Sequence, residues 1–148
     1  MKSLVLSVAL LFAFHSIPAT AQSADAELVQ QVVQSAYIDG FANLVDISAM
    51  EKGFHPSFEV LRLKDGNIEK TTIAQWIAGA KMRVENAAGA APEIIYTGKF
   101  LQLDVTGSVA VSKLDVYKAD KLAYTDYLSL YKFDEGWRIV SKVGYSHY

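Results

Sequence analysis

The sequence predicts an α+β domain in the shape of a cone, a curved antiparallel sheet wrapped around three N-terminal helices. Three observations predict it. Apolar residues in the first half recur at helical spacing. After Pro92 nearly every segment alternates with a period of two. The alternating segments are joined by very short links rich in Gly and Asp, which makes them antiparallel neighbours. These strands run to about ten residues, where about five or six is usual. Long antiparallel strands twist and curl, and helices on the concave side of such a sheet close it into a cone.

The first segment is set apart from the fold. Lys2 supplies a positive start, Leu4 to Phe14 is an almost unbroken apolar run, and Ala19-Thr20-Ala21 ends it as small-x-small. That order is a secretory signal, with cleavage expected after Ala21. The run is about half the roughly twenty residues that a spanning helix needs. The expected domains are therefore a signal over 1–21 and one folded domain over 22–148. Removing 21 of the 148 residues leaves 127, and the loss of Lys2 moves the formal charge from −2 to −3. The expected location is the periplasm or the outside of the cell, with no membrane attachment after cleavage.

Asp25 to Leu44 reads as the first helix, with Ser23 as N-cap and Asp25 and Glu27 in the first turn. Leu28, Val32, Ala36 and Gly40 form its stripe, flanked by Val29, Val33, Tyr37 and Phe41. Gly40, costly in a helix interior, marks a place where another element comes close. Asp46 caps a short second helix, Ile47 to Lys52, and Gly53 stops it. Phe54-His55-Pro56 is a corner, because the proline keeps His55 out of helical conformation. A strand follows over Ser57 to Leu63, with Phe58, Val60 and Arg62 on one side. The Asp65-Gly66 turn leads into a short return over Ile68 to Lys70. Thr72-Ile73-Ala74-Gln75 is a capping box that opens a third helix, Ile73 to about Val84. Ala87 to Pro92 is a small-residue linker inside the domain. Four strands complete the chain: Glu93 to Asp104, Val109 to Lys118, Leu122 to Phe133 and Trp137 to Val143.

This ordered set, with Tyr37-Ile38-Asp39-Gly40-Phe41, Phe54-His55-Pro56, Thr72-Ile73-Ala74-Gln75-Trp76, Asp126-Tyr127-Leu128-Ser129-Leu130 and Gly136-Trp137-Arg138-Ile139-Val140-Ser141-Lys142, resembles the NTF2-like (SnoaL-like) superfamily. Within it the chain is most similar to the putative lumazine-binding proteins, over about Ala26 to Tyr145. The resemblance implies a hydrophobic cavity between sheet and helices and a homodimer formed through the outer face of the sheet. It also implies a small hydrophobic or aromatic ligand in some relatives, and isomerase, dehydratase or cyclase activity in others. Fold alone does not choose among these.

Composition narrows the chemistry. A slightly acidic chain without basic clusters has no electrostatic reason to bind nucleic acid. The absence of cysteine excludes thiol catalysis and cysteine-ligated zinc, and makes the core alone responsible for stability. Beyond the signal, only His55 and His147 remain, too few for a histidine metal site, and nothing calls for a cofactor. No G-x-S-x-G elbow is present. Five residues are candidates for ligand contact. His55 is either a general base or a corner residue holding the start of the strand. Asp126 alternates with Tyr124, Leu128 and Leu130, so it either faces the cone and moves protons, or lies where that end of the face meets solvent, or pairs with Lys113 or Lys142. Tyr37 either donates to a ligand or is a core tyrosine. Trp76 seals the third helix onto the sheet, and Tyr127 lines either the cavity or a dimer face. The reading that follows is an exported small-molecule-binding protein. The alternatives are a cofactor-independent isomerase or dehydratase using Asp126 or His55 as base, and a structural dimeric subunit without ligand.

Overall fold

The computed structural model describes residues 19–87 and 95–148. Most of the expected signal and of the Ala87–Pro92 linker lies outside those residues. Helix α1 (Ala19–Val32) passes directly into a π-helical segment, Val33–Ala42. Helix α2 (Ile47–Gly53), strands β1 (Phe54–Lys64) and β2 (Asn67–Thr72), and helix α3 (Ile73–Asn86) follow. Strands β3 (Tyr96–Thr106), β4 (Val109–Lys118), β5 (Lys121–Phe133) and β6 (Gly136–Ser146) finish the chain. Six strands make one sheet in the order β2-β1-β6-β5-β4-β3. It is an α+β cone, as the long strands predict.

The structure corrects the sequence reading in four places. The sheet is not wholly antiparallel: β1 runs parallel to β6, with Val60 beside Lys142. This pairing joins strands far apart in sequence, so no turn residue announces it. The corner at Phe54-His55-Pro56 belongs to β1, whose pairing with β6 is irregular between Phe54 and Glu59. Ser23 does not cap the first helix, which already includes it. Asp25 is turned to the sheet instead, where Lys132 Nζ donates at 2.7 Å and the Trp137 indole N–H at 3.1 Å. Finally, β6 runs to Ser146, three residues beyond the predicted end. His147 N donates to Ala123 O at 2.9 Å, so the tail stays laced to β5.

The π-helical segment has a sequence reason and a packing reason. Wider turns bond i to i+5, as Asn43 N does to Ile38 O at 3.0 Å. Gln34 Nε2 donates to Asp39 Oδ1 at 2.9 Å across the same spacing. Gly40 lets α2 close in, since a Cβ there would stand 3.0 Å from Asp46 O and from Met50 Cγ. The end of the segment is clamped to β3 by Asn43. Its Nδ2 donates to Tyr96 O at 2.8 Å, and its Oδ1 accepts from Tyr96 N at 2.7 Å. The predicted capping box is present, with Thr72 Oγ1 accepting from Gln75 N and Gln75 Oε1 accepting from Thr72 N.

The core lies between the helices and the inner face of the sheet. Val29, Val33, Ala36 and Ile38 come from the first helical stretch, Met50 from α2 and Trp76 and Ala80 from α3. Phe58, Leu114, Leu128, Leu130 and Ile139 rise from the sheet to meet them. Burying each large side chain contributes on the order of 1.5–3 kcal/mol. The sheet's other face carries half-exposed Val109, Val111, Tyr127, Tyr131 and Val143.

Candidate functional site

Alternation on β5 puts Tyr124, Asp126, Leu128 and Leu130 on the inner face. Opposite Asp126, β6 has Gly144. A side chain there would run into the Asp126 carboxylate, so the glycine is what gives that carboxylate its room. Two residues earlier on β6 stands Lys142, whose Nζ is 2.5 Å from Asp126 Oδ1. From the π-helical segment Tyr37 reaches down and donates its hydroxyl to Asp126 Oδ2, also at 2.5 Å. Lys142 Nζ lies 5.5 Å from the centroid of the Tyr37 ring.

This cluster is dry. Asp126 is 0% exposed, Tyr37 4% and Lys142 7%. Burial pushes the Tyr37 hydroxyl well above its ordinary titration range, and the Asp126 charge adds to the effect, so Tyr37 stays a neutral donor. Burial lowers the Lys142 ammonium, and its ion pair with Asp126 works against that. A buried ion pair contributes little net stability while intact, because desolvation offsets the attraction. Retaining one beneath a cavity therefore suits a role in orienting something polar.

Above the cluster lies a cavity of about 840 Å³, within the roughly 300–1,000 Å³ usual for ligand sites. One wall is aromatic. The Phe41 and Trp76 rings stack at 3.8 Å with 9° between planes, and Tyr37 lies 6.0 Å from Trp76 at 10°. Four residues apart on the π-helical segment, Tyr37 and Phe41 lie nearly parallel, 6.1 Å apart at 14°, both beside Trp76 of α3. Val60 and Val116 supply aliphatic surface, and Tyr96 and Tyr124 add rings whose hydroxyls suit a half-wet boundary. Arg62, Leu63, Arg83, Tyr145 and Ser146 also line it. Arg83 donates to Phe41 O at 2.9 Å and places its guanidinium 5.0 Å from the Phe41 centroid. Among the described residues no group of three or more His, Asp or Glu is gathered to hold a metal ion.

Of the five sequence candidates, Tyr37, Trp76 and Asp126 meet at this cavity. His55 does not reach it. Its ring stacks on Phe133 at 4.7 Å, and its Nδ1 is 2.7 Å from Ser57 Oγ, which is the corner-holding role. Tyr127 lies on the outer face, because odd-numbered positions of β5 point away from Asp126 there. It is 43% exposed, with Lys113 Nζ 5.3 Å from its ring. Lys142, one of two partners the sequence offered for Asp126, is the one in place. Gly144, Phe41, Tyr96 and Tyr124 join the site beyond the five candidates. A glycine inside a strand is a signal of close approach, but the predicted end of β6 at Val143 left Gly144 outside the strand.

A family model described as "Putative lumazine-binding" matches residues 24–145. The chain belongs to the putative lumazine-binding family, and its fold is that of NTF2-like proteins. Among solved structures it is similar to an NTF-2 like protein of unknown function from Silicibacter pomeroyi DSS-3. The two are 21% identical with a TM-score of 0.64, over 88% of this chain and 100% of that one. An NTF2-like protein of unknown function from Shewanella baltica OS155 is 16% identical with a TM-score of 0.61, over 90% of this chain and 99% of that one. A de novo designed protein with a curved β-sheet is 11% identical with a TM-score of 0.51, over 79% of this chain and 99% of that one. At such identities the likeness is one of fold. No curated protein matches the chain.

Proposed function

We propose that this is an exported protein that binds a planar, largely apolar ring compound inside its cone. The observation that carries the reading is the pairing of a stacked aromatic wall, Phe41 and Trp76, with a dry polar floor, Tyr37, Asp126 and Lys142. Buried Trp76 backs the wall, the partly exposed rings of Phe41, Tyr96 and Tyr124 offer apolar surface to a ring, and the floor offers fixed polar groups that orient it. An open cavity of about 840 Å³ favours this reading over a structural subunit, whose cone would be filled by its own side chains. The sequence order at the N-terminus supports export to the periplasm or beyond. The apolar outer face, with Val109, Val111, Tyr127, Tyr131 and Val143, supports a second copy docked there.

Thermal denaturation with a panel of aromatic ring compounds tests the binding reading. Some members raise the Tm of the wild type, and the rise is lost in Trp76→Ala and reduced in Tyr37→Phe, which keeps the ring. A Tm indifferent to every compound, or shifts unchanged in both variants, contradicts it.

A second reading, a cofactor-independent isomerase or dehydratase, is favoured by one observation. A buried carboxylate stands 2.5 Å from a neutral phenol donor, an acid–base pair in a low-dielectric site. Against it, Asp126 already accepts the Tyr37 hydroxyl at Oδ2 and is ion-paired with Lys142 at Oδ1, which makes that residue an anchor for both. Asp126→Asn separates the two: under the enzyme reading it abolishes turnover of a bound compound while binding persists.

A further inference from the structure

The cavity and the chain carry opposite charge. Three cations, Arg62, Arg83 and Lys142, and one carboxylate, Asp126, line the cavity, three minus one giving +2. The whole chain is formally −2. Lys142 is neutralised by Asp126 at 2.5 Å. Arg83 is tied to Phe41 O and sits against the Phe41 ring, which sets a cation on the aromatic wall.

Arg62 is the unusual member. The acids nearest it on the β1–β2 ribbon pair with other residues: Glu69 with Lys64 at 3.1 Å and Glu59 with Lys70 at 2.9 Å. Among the described residues no carboxylate pairs with Arg62. It is one alternation beyond Val60 on the inner side of β1, so its guanidinium stands at the cavity. Its charge is felt at Tyr37, Tyr124 and Lys142, three groups of the cavity lining.

An unpaired guanidinium beside a stacked aromatic wall fits one ligand chemistry. A ring lies among Phe41, Tyr96 and Tyr124, with Trp76 behind Phe41, and an acidic group on that ring meets the Arg62 fork, which binds a carboxylate through two parallel hydrogen bonds. We propose that the ligand is a planar-ring carboxylic acid, its ring beside Phe41, Tyr96 and Tyr124 and its carboxylate at Arg62. This rests on the reading that the cavity binds ring compounds.

Isothermal titration of the purified protein with 1-naphthoate and with 1-naphthalenemethanol tests it, since the two differ in the acid and share the ring. The expected result is tighter binding of naphthoate, by roughly five- to tenfold at low salt, with the margin shrinking as salt rises. Arg62→Gln, an exposed substitution that leaves the core alone, removes the margin by weakening naphthoate binding. Equal affinity for both probes, or a margin that survives Arg62→Gln, overturns the acid assignment and leaves ring binding standing. If neither probe binds, both readings fall together.

Discussion

Gly144 is where one added carbon does the most damage to the polar floor. Its Cβ would collide with the Asp126 carboxylate, on a strand paired on both sides. Gly144→Ala is expected to displace that carboxylate from Tyr37 and Lys142 and to cost about 1–3 kcal/mol, the range for overpacking a filled interior. Urea denaturation reads this directly, and an unchanged midpoint refutes the close approach. Removing Asp126 alone has a harsher consequence. Asp126→Ala strands a buried ammonium, and about 3–5 kcal/mol is expected to be lost. The double variant Asp126→Leu with Lys142→Met removes the whole pair and is expected to recover most of that loss. A double variant no more stable than Asp126→Ala contradicts the account of Lys142 as a compensated buried charge. At this scale the sequence was informative where alternation governs. Tyr124, Asp126, Leu128 and Leu130 share a face by period alone. For His55 the sequence offered the corner-holding role that the Ser57 contact fits, but not the ring that it stacks on, because Phe133 lies on a distant strand.

The first helical stretch is the element on which the site depends most. Its π-helical part sets Tyr37 over Asp126 and Phe41 against Trp76, and Asn43 fastens its end to β3. Its other anchor is Asp25, held by Lys132 and by the Trp137 indole. Hydrogen bonds from these two residues, Lys132 foremost, hold the Asp25 carboxyl below its ordinary 3.8. A depressed carboxyl contributes stability that is present above its unfolded value and lost as pH falls through its folded one. Asp25→Asn is therefore expected to lower Tm at neutral pH, and the gap from wild type is expected to close as pH falls below 3.8. A gap that persists undiminished in acid contradicts the charge-based anchor. Helical periodicity marks this element but not its winding, since spacings of four and five both place Val33, Tyr37 and Phe41 on one broad side. The same limit hid the role of Asp25. Acidic residues near a predicted helix start suit the dipole, and only the tertiary neighbours show that this one faces a lysine and an indole.

For the whole molecule, hairpin links disclose the β3 to β6 meander because each turn is local, and they are silent on the β1–β6 parallel contact that closes the cone edge. The cavity itself was legible only as a consequence of long curled strands, and its charge only once β1 was set in place. Two molecular properties follow from the proposal. Export predicts that the protein recovered from the periplasm or medium begins at Gln22, which intact-mass spectrometry checks; a mass that includes Met1 contradicts it. Pairing through the outer face predicts a dimeric mass by light scattering, halved when Tyr127→Lys and Tyr131→Lys are combined. A monomeric wild type contradicts that.

The most direct test of ring binding is an amide NMR titration of the 15N-labelled protein with 1-naphthoate. Shifts confined to the cavity, at Phe41, Trp76, Tyr124 and Gly144, with the outer-face amides of Val111, Tyr127 and Tyr131 unmoved, are the predicted result. A spectrum that does not change, or changes that fall on the outer face alone, would contradict a cone built to hold a ligand.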